Sequence, residues 1–438
     1  MASDSKAVSL AQRRRQAETE DSVISLTPSI KEAATLVAQL EDQLRLDDSS
    51  PESILKRSLS SKTVISTTSS WALRFQDAAE NDAAQEFMEI GRGGCGVVFE
   101  QVGVGHVAKR AIEDNPNSLW TDYLTHRHLC TTFSNLTPYM NIKIKIPRCI
   151  GWRGPAPTEW WDSNAFRFPA DFQSPGHLLF SERILPLPKI IRHALIDLYC
   201  DPTLRDGAKM SPGNKHCLVR PYLGQRRRTS NHLRFFSLKN FKIHIDQMEQ
   251  LNLDFEDFAI QMADALAVVH WKAKLDAYDV EFVLGSAPNV SINTDAPSLE
   301  ALRKMPPGTT TIPSGNGFDF EHRIIHLWMI DFNQCNDMPP SEHGVRMAVK
   351  AFIENAPYFP RPGSPNHTDQ WLWETFKKRY LQRSHEVADN DVKASELPES
   401  FIDGVIEIRK QQMLKSSQEV SEAESSTAVS GFKGPRVM

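Results

Sequence analysis

Long apolar runs and closely spaced cysteine pairs are both missing from this chain of 438 residues. Its first residues contain no hydrophobic signal core, and no run reaches the length that spans a bilayer. The six cysteines are scattered without a C-x-x-C pair, which argues against a disulfide framework and favours reduced thiols. These absences predict a soluble intracellular protein, cytoplasmic or nuclear, with no membrane partner.

A strong charge of either sign is missing as well. The 50 basic and 55 acidic residues give a formal net charge of −5, so no general attraction to nucleic acid is expected. The length allows two or three ordinary domains, but a two-lobed core of about 300 residues with flexible ends accounts for it equally well.

A glycine-rich stretch is the first motif with chemical content. Residues 90–99 read IGRGGCGVVF, in which Gly91, Gly93 and Gly96 fit the pattern G-x-G-x-x-G-x-V. Glycines let a backbone approach phosphates closely. A dinucleotide-binding loop would open into a helix, but here a β-branched run that includes Val98 leads to a turn and a second strand with Lys109. The stretch therefore predicts a phosphate-covering hairpin.

Two acidic stretches follow in an informative order. Asp276 ends an apolar helix and is followed five positions later by Glu281 on a short strand, and Asp331 ends another apolar strand. With the glycine loop and Lys109, this order resembles that of protein kinases. The resemblance implies that Asp276 orients a substrate hydroxyl and that Glu281 and Asp331 bind Mg²⁺.

The same resemblance implies roles for other residues. Lys109 would hold the phosphates of ATP and pair with an acid on the next helix, for which Asp122 and Glu113 compete. Backbone groups near Glu182 to Ile184 would meet the adenine. Asn333 stands where kinases have glycine, which is acceptable because Asn enters the left-handed conformation easily.

The implied fold is α+β, a bilobal protein-kinase-like arrangement with a small β-rich N-lobe and a mainly helical C-lobe. Polar, Ser/Thr-rich composition predicts disordered ends, and a Pro/Ser/Gly-rich stretch predicts a long disordered insert. The predicted parts are a low-complexity segment over 1–70 with a helix near 30–46, the N-lobe over 75–180, the C-lobe over 181–385, the insert over 285–322 and a mobile tail over 386–438 with a short helix.

Six blocks of the chain, spread between Phe75 and Leu381, resemble an uncharacterised fungal family defined only as a domain of unknown function. The blocks are Arg183–Pro188, Cys217–Gly224, His270–Ala277, Asp279–Gly285, Ile330–Cys335 and Tyr358–Pro362. Members of that family are often labelled zinc finger proteins. Zinc fingers need paired ligands two to five residues apart, so the isolated cysteines here predict no structural zinc.

Three functions remain open from the sequence. Glu281, Asn333 and the long inserts favour a pseudokinase-type scaffold that binds an unidentified protein partner, with or without nucleotide. The alternative is a Mg-ATP-dependent phosphotransferase acting on a small-molecule or protein hydroxyl. A DNA-associated regulator is the third, resting on arginine clusters such as Arg226–Arg228, which also fit an anion-gripping loop or a solvated hairpin tip.

Overall fold

The computed structural model describes residues 22–25, 49–61, 63–66, 86–101, 104–112, 116–136, 138–227, 236–288, 298–306, 309, 322–355, 357–388 and 396–430. Within them the chain folds as a mixture of α-helices and two β-sheets. None of the helices in this part of the chain combines the length and the apolar character that a membrane crossing requires.

The first sheet is antiparallel and has five strands in the order β3-β4-β5-β7-β6. A long helix, α2, connects β5 to β6 and packs on the sheet. The bounds are β3 Phe87–Arg92, β4 Gly96–Gln101, β5 His106–Ala111, α2 Pro116–Ser134, β6 Cys149–Arg153, α3 Glu159–Asn164 and β7 Leu178–Glu182.

Aromatic side chains fill one face of this sheet. Phe99 on β4 is fully buried, and Phe168 stacks on Phe87 with ring centroids 4.0 Å apart. Trp161 on α3 belongs to the same buried cluster. The aromatic-rich segment between β6 and β7 therefore packs on the five-stranded sheet, because burial of these large rings is the main favourable term available to so small a sheet.

The second sheet has six strands in the order β1-β2-β11-β10-β8-β9 and is surrounded by most of the helices. Strands β8 and β9 run parallel, whereas β10 and β11 form a long antiparallel hairpin. The bounds are β1 Ser22–Ser25, α1 Pro51–Ser58, β2 Thr63–Ser66, α4 Lys189–Tyr199, α5 Arg205–Met210, β8 Val219–Tyr222, β9 Phe241–His244, α6 Ile245–Gln250, α7 Phe255–Trp271, β10 Glu281–Pro288, α8 Leu299–Arg303, β11 His322–Ile330, α9 Glu342–Glu354, α10 His367–Val387 and α11 Leu397–Ser430.

Helix α7 lies at the centre of the larger core. Its N-cap is Asp254, whose carboxylate accepts the main-chain N–H of Asp257, and nearly every later residue of the helix is buried. Near its C-terminal end, His270 is hydrogen-bonded to the hydroxyl of Tyr380 on α10 at 2.8 Å. This histidine is 1% exposed and sits among aromatic rings, as a structural histidine does.

The predicted disordered insert over 285–322 is wrong for its described residues. Gly285 to Pro288 continue β10, His322 begins β11, and helix α8 lies between them. The N-cap of α8 is Ser298, and its Leu302 is fully buried in a cluster with Tyr123 of α2. Composition missed this helix because one apolar side chain with a distant partner gives no local periodicity.

The prediction of low-complexity ends is also wrong in part. Helix α1 buries Leu55 fully in the large core and packs on α4, and β2 pairs with β11. Helix α11 is longer than the short helix expected in the tail, and it buries Phe401 and Val405 against α9 and α10. The helix predicted near 30–46 lies outside the described residues.

Candidate functional site

A cavity of about 450 Å³ lies between the two sheets, which is within the range of ligand pockets. Its roof is the turn between β3 and β4, and its side wall is β5 with helix α2. The floor is formed by residues of β8 and by the adjacent ends of β10 and β11. Charged side chains from elements far apart in the sequence therefore face one another across it.

Glycine is required for different reasons at different positions of the turn between β3 and β4. The main-chain N–H of Gly93 donates to the carbonyl of Gly96 at 2.9 Å and closes the turn. A Cβ on Gly96 would lie 2.6 Å from the carbonyl oxygen of Arg110 on β5, so this glycine is needed for strand packing. A Cβ on Gly93 would meet no atom within 4 Å, which leaves open space beside it for a ligand.

Lys109 on β5 is held by two carboxylates. Its Nζ lies 2.7 Å from Oδ2 of Asp122 on α2 and 3.1 Å from Oδ1 of Asp331, which is 222 residues away in sequence. Burial alone would lower the pKa of Lys109, but the charges of Asp122 and Asp331 raise it well above its ordinary value. The ammonium is therefore charged and fixed in direction. Of the two acids that competed for this pairing, Asp122 is the one in contact, and Glu113 lies outside the described residues.

The backbone at Asp331 is left-handed, with φ +66°. That conformation costs about 1 kcal/mol or more in a residue other than glycine. It directs the side chain to Lys109, while the next main-chain N–H, of Phe332, donates to Oδ1 of Asp122. The expectation that Asn333 would carry the left-handed turn is wrong, because the turn comes two residues earlier.

Cys95 lies in the roof beside these three groups. Within the described part of the chain, Cys95, Asp122 and Asp331 form the one group of three metal-ligand side chains whose donor atoms lie within 4.8 Å of one another. Burial raises the pKa of the Cys95 thiol, although Lys109 lowers it in part. Since the ammonium of Lys109 contacts both carboxylates, a cation already occupies the centre of this group.

The segment after β7 forms the back of the cavity. Glu182 accepts hydrogen bonds from the main-chain N–H and the Nε of Arg148, both at 3.1 Å. Arg183 is 4% exposed and pairs with the fully buried Glu100. The main-chain N–H of Ile184 makes none of the hydrogen bonds formed among the described residues, although Ile184 is buried and lines the cavity. Buried amides nearly always have a partner, so this donor is available to a ligand.

Glu281 opens strand β10 on the cavity floor and forms an ion pair with Arg220 of β8. Each of its carboxylate oxygens accepts a hydrogen bond from one terminal guanidinium nitrogen of Arg220, at 2.6 Å. Burial raises the pKa of Glu281, Arg220 lowers it, and the nearby Asp331 raises it further. No local pattern in the sequence singles out Arg220 as part of the cavity floor, because its partner Glu281 is 61 residues away.

Asp276 does not line the cavity, and it is 3% exposed. Its Oδ1 accepts the main-chain N–H groups of Tyr278 and Asn336, and its Oδ2 accepts the side-chain amide of Asn336 at 2.9 Å. The carboxylate thus fastens its own loop to the segment after β11. In this arrangement it does not reach a hydroxyl in the cavity, which the predicted catalytic role requires.

Asp279, three residues later, is the acid of this loop that lines the cavity. Its backbone is left-handed, with φ +61°, and its carboxylate accepts a short hydrogen bond from the side chain of Gln334. Burial and the charge of Asp331 raise the pKa of Asp279. The sequence motif pointed to Asp276 by spacing alone. Asp enters the left-handed conformation more readily than most residues, but this preference does not show which Asp of the loop adopts it.

Most of the residues predicted for the site therefore surround one cavity. Gly96 and Asp276 are absent from its wall, and the others contribute to it. Those others are Gly91, Gly93, Val98, Lys109, Glu182, Ile184, Glu281 and Asp331.

The arginine cluster after β8 has a structural explanation for its described members. Arg226 forms ion pairs with Glu249 and Asp369, at 2.7 and 2.6 Å, so the prediction of a solvated hairpin tip is wrong for this residue. Arg227 pairs with Asp246 at 2.7 Å. Arg228 lies outside the described residues. Two of the three guanidinium groups thus have acidic partners within the chain.

Comparison with known proteins gives one family match and no activity. No curated protein matches the chain. Residues 327–392 match the family DUF3669. The DUF3669 region, described as "Zinc finger protein", starts inside β11, contains Asp331 and Asn336, and ends just after α10. It covers about a seventh of the chain, so the blocks of resemblance that precede residue 327 lie outside the match.

The DUF3669 region contains one cysteine, Cys335, and three histidines, His343, His367 and His385. Among the described residues, none of these four belongs to a group of three or more metal-ligand side chains with donor atoms within 4.8 Å. Burial and the acids around it raise the pKa of the Cys335 thiol well above its ordinary value, which disfavours the thiolate that zinc needs. The described side chains of this region do not fit a zinc finger.

Proposed function

We propose that the cavity binds a nucleotide such as ATP, in a kinase-like arrangement of two lobes, and that the protein acts as a pseudokinase-type scaffold. One observation carries the proposal. The Lys109 ammonium is fixed by Asp122 from one lobe and Asp331 from the other, directly below a glycine turn with open space beside it. A fixed ammonium beneath a glycine turn with open space is suited to the phosphates of a nucleotide.

The back of the cavity supports a nucleobase in the same ligand. The unpaired N–H of Ile184 is a hydrogen-bond donor at the edge of an apolar wall that includes Val98, Val107 and Leu179. A planar base needs such a combination, because its faces are apolar and its edge carries acceptors. The five-stranded order, with α2 between the third and fourth strands of that sheet, agrees with the lobe that the kinase resemblance implies.

Two contacts favour a scaffold over an enzyme. Asp276 uses its carboxylate to hold Asn336, and Glu281 uses both of its oxygens to hold Arg220. Phosphoryl transfer needs one such residue free to position the acceptor and another to hold a metal ion. The arrangement of these two side chains is therefore compatible with nucleotide binding, but neither is placed to act in phosphoryl transfer.

The alternative, a phosphotransferase, is favoured by one observation only. Asp279 lines the cavity with a raised pKa, so its carboxylate is the group on the floor that can accept a hydroxyl proton. Transfer would then depend on Asp279, and substitution of this residue by Asn would abolish it.

Thermal-shift titration with ATP tests the proposal. We expect the melting temperature of the full-length protein to rise with ATP concentration, since a ligand that binds only the native state stabilises it. Lys109→Met and Asp331→Ala should lose the shift, whereas Lys304→Met, a matched substitution of an exposed lysine outside the cavity, should keep it. If ATP leaves the melting temperature of the wild-type protein unchanged, the proposal is wrong. Sustained release of phosphate from ATP that Asp279→Asn abolishes would favour the enzyme instead.

A further inference from the structure

The floor of the cavity brings together the two acids that the kinase resemblance assigns to Mg²⁺. Glu281 is the first residue of β10, and it pairs in register with Ile330, the last residue of β11. Asp331 follows at once, close enough for its charge to raise the pKa of Glu281. A magnesium ion bound here would have to take oxygens from these two side chains.

Neither acid is suited to do so. Mg²⁺ requires near-octahedral oxygen ligands at about 2.0–2.1 Å. Both oxygens of Glu281 are engaged by Arg220 at 2.6 Å, and one oxygen of Asp331 is engaged by Lys109 at 3.1 Å. The side chains of Glu281 and Arg220 are 21% and 17% exposed, so water screens this ion pair only in part. The described residues therefore do not fit the metal.

Arg220 supplies instead a positive charge at the same place. Its strand, β8, lies beside β10 with Val219 opposite Leu284, and this pairing places the guanidinium on the floor of the cavity. A guanidinium has five N–H donors, of which Glu281 uses two. Glu281 uses the end-on fork of the two terminal nitrogens, Nε is buried, and Tyr222 is a further hydrogen-bond partner, so Arg220 offers a phosphate its positive charge and the second N–H of its terminal nitrogens. That charge does not depend on a dissolved ion.

We infer that Arg220 replaces the metal ion of this site, so that the phosphates of a nucleotide are held by Arg220 and Lys109 without a divalent cation. The inference rests on the proposed nucleotide binding and adds which charged side chains neutralise the phosphates. Glu281 then acts as a positioning residue that directs the guanidinium, and its carboxylate is not a metal ligand.

Calorimetric titration of the full-length protein with ATP, once with EDTA and once with excess MgCl₂, tests the inference without any substitution. We expect dissociation constants that agree within about threefold, which is under 1 kcal/mol. Binding that occurs only with MgCl₂ overturns the inference and leaves the proposed function standing. The absence of binding under both conditions overturns both.

Two variants at the ion pair give a second test. Arg220→Gln should weaken binding in EDTA by about tenfold or more, the usual effect of losing a charged hydrogen bond. Addition of MgCl₂ should restore part of the loss, because the substitution frees the Glu281 carboxylate for a cation. Glu281→Gln keeps the guanidinium charge but weakens the group that directs it, so its affinity in EDTA should fall clearly less than that of Arg220→Gln. If Glu281→Gln weakens binding as much as Arg220→Gln, the effect comes from lost structure and the inference is wrong.

Discussion

The ammonium of Lys109 contacts a deeply buried carboxylate and a more accessible one. Asp122 is 5% exposed and Asp331 is 33% exposed, at 2.7 and 3.1 Å respectively. Because solvent screens the second pair more strongly, the two contacts should contribute unequally to stability although they share one cation. This inequality distinguishes the buried Asp122 from Asp331, which lines the cavity and is more accessible to solvent.

Asp122→Asn should destabilise the protein by about 3 kcal/mol, since it removes one partner of a buried ion pair. Asp331→Asn should cost about 1 kcal/mol or less, because a partly exposed pair contributes little. Urea unfolding of the two variants measures both values. A larger loss for Asp331→Asn would mean that Lys109 depends mainly on the strand end and not on helix α2.

The loop between α7 and β10 allows a second comparison. Asp276→Ala should cost about 2 kcal/mol, because it removes the acceptor of three part-buried hydrogen bonds from Tyr278 and Asn336. The nucleotide affinity of the folded Asp276→Ala variant should equal that of the wild-type protein. Asp279→Ala should cost less than about 1 kcal/mol, since the residue is only half-buried, and it should change nucleotide affinity. A reversal of these two results would restore Asp276 as the residue facing the ligand.

Alanine substitutions at two glycines of the turn between β3 and β4 should differ in their effect on stability. Gly96→Ala places a methyl group 2.6 Å from a strand carbonyl and should cost about 2 kcal/mol, as overpacked positions do. Gly93→Ala meets nothing and should change the free energy of unfolding by less than about 0.5 kcal/mol. Chemical denaturation distinguishes the two. Equal losses would show that the turn needs glycine for conformation and not for packing.

The buried His270 predicts a loss of stability in mild acid. Burial lowers the pKa of His270 to about 3, whereas the unfolded chain has a value near 6.5. Below pH 6.5 His270 is protonated in the unfolded state but stays neutral in the native state. The free energy of unfolding is therefore highest above pH 6.5 and decreases as the pH falls toward 3. At pH 5 this one residue should account for about 2 kcal/mol.

His270→Gln isolates that contribution from those of other histidines, because Gln cannot titrate and still offers a polar group to Tyr380. The difference in unfolding free energy between the wild type and the variant should shrink by about 2 kcal/mol from pH 7 to pH 5. Urea titrations at several pH values provide the measurement. A constant difference across this range would mean that His270 has the same pKa in the native and unfolded states.

The parts of the site that could be predicted from sequence are those whose signal is local. Lys109 and Asp331 each lie on a short apolar strand at a recognisable place in the order of motifs. Asp122 was one of two acids predicted to pair with Lys109. Helical periodicity identifies the buried face of a helix, but it does not identify which residue on that face contacts Lys109. Apolar periodicity also predicts helices over Val345–Phe352 and Trp371–Leu381, and α9 and α10 contain these ranges.

The parts that could not be predicted depend on contacts between distant segments. Asp276 is removed from the cavity by Asn336, 60 residues later, and Glu281 is neutralised by Arg220. Spacing along the chain carries no information on either pairing. The left-handed backbone at Asp331 and Asp279 is likewise selected by surrounding packing, since neither residue type demands it.

Helix α8 belongs by sequence to the second half of the chain, yet Leu302 completes a hydrophobic cluster formed by α2 and the five-stranded sheet. Its neighbours there, Leu119 and Tyr123, flank Asp122 on α2. Shortening the loop that carries Leu302 would therefore open a hole behind the helix on which the charge pairing of Lys109 depends. Evolutionary or engineered deletions at this position should be tolerated only when another apolar side chain fills the gap.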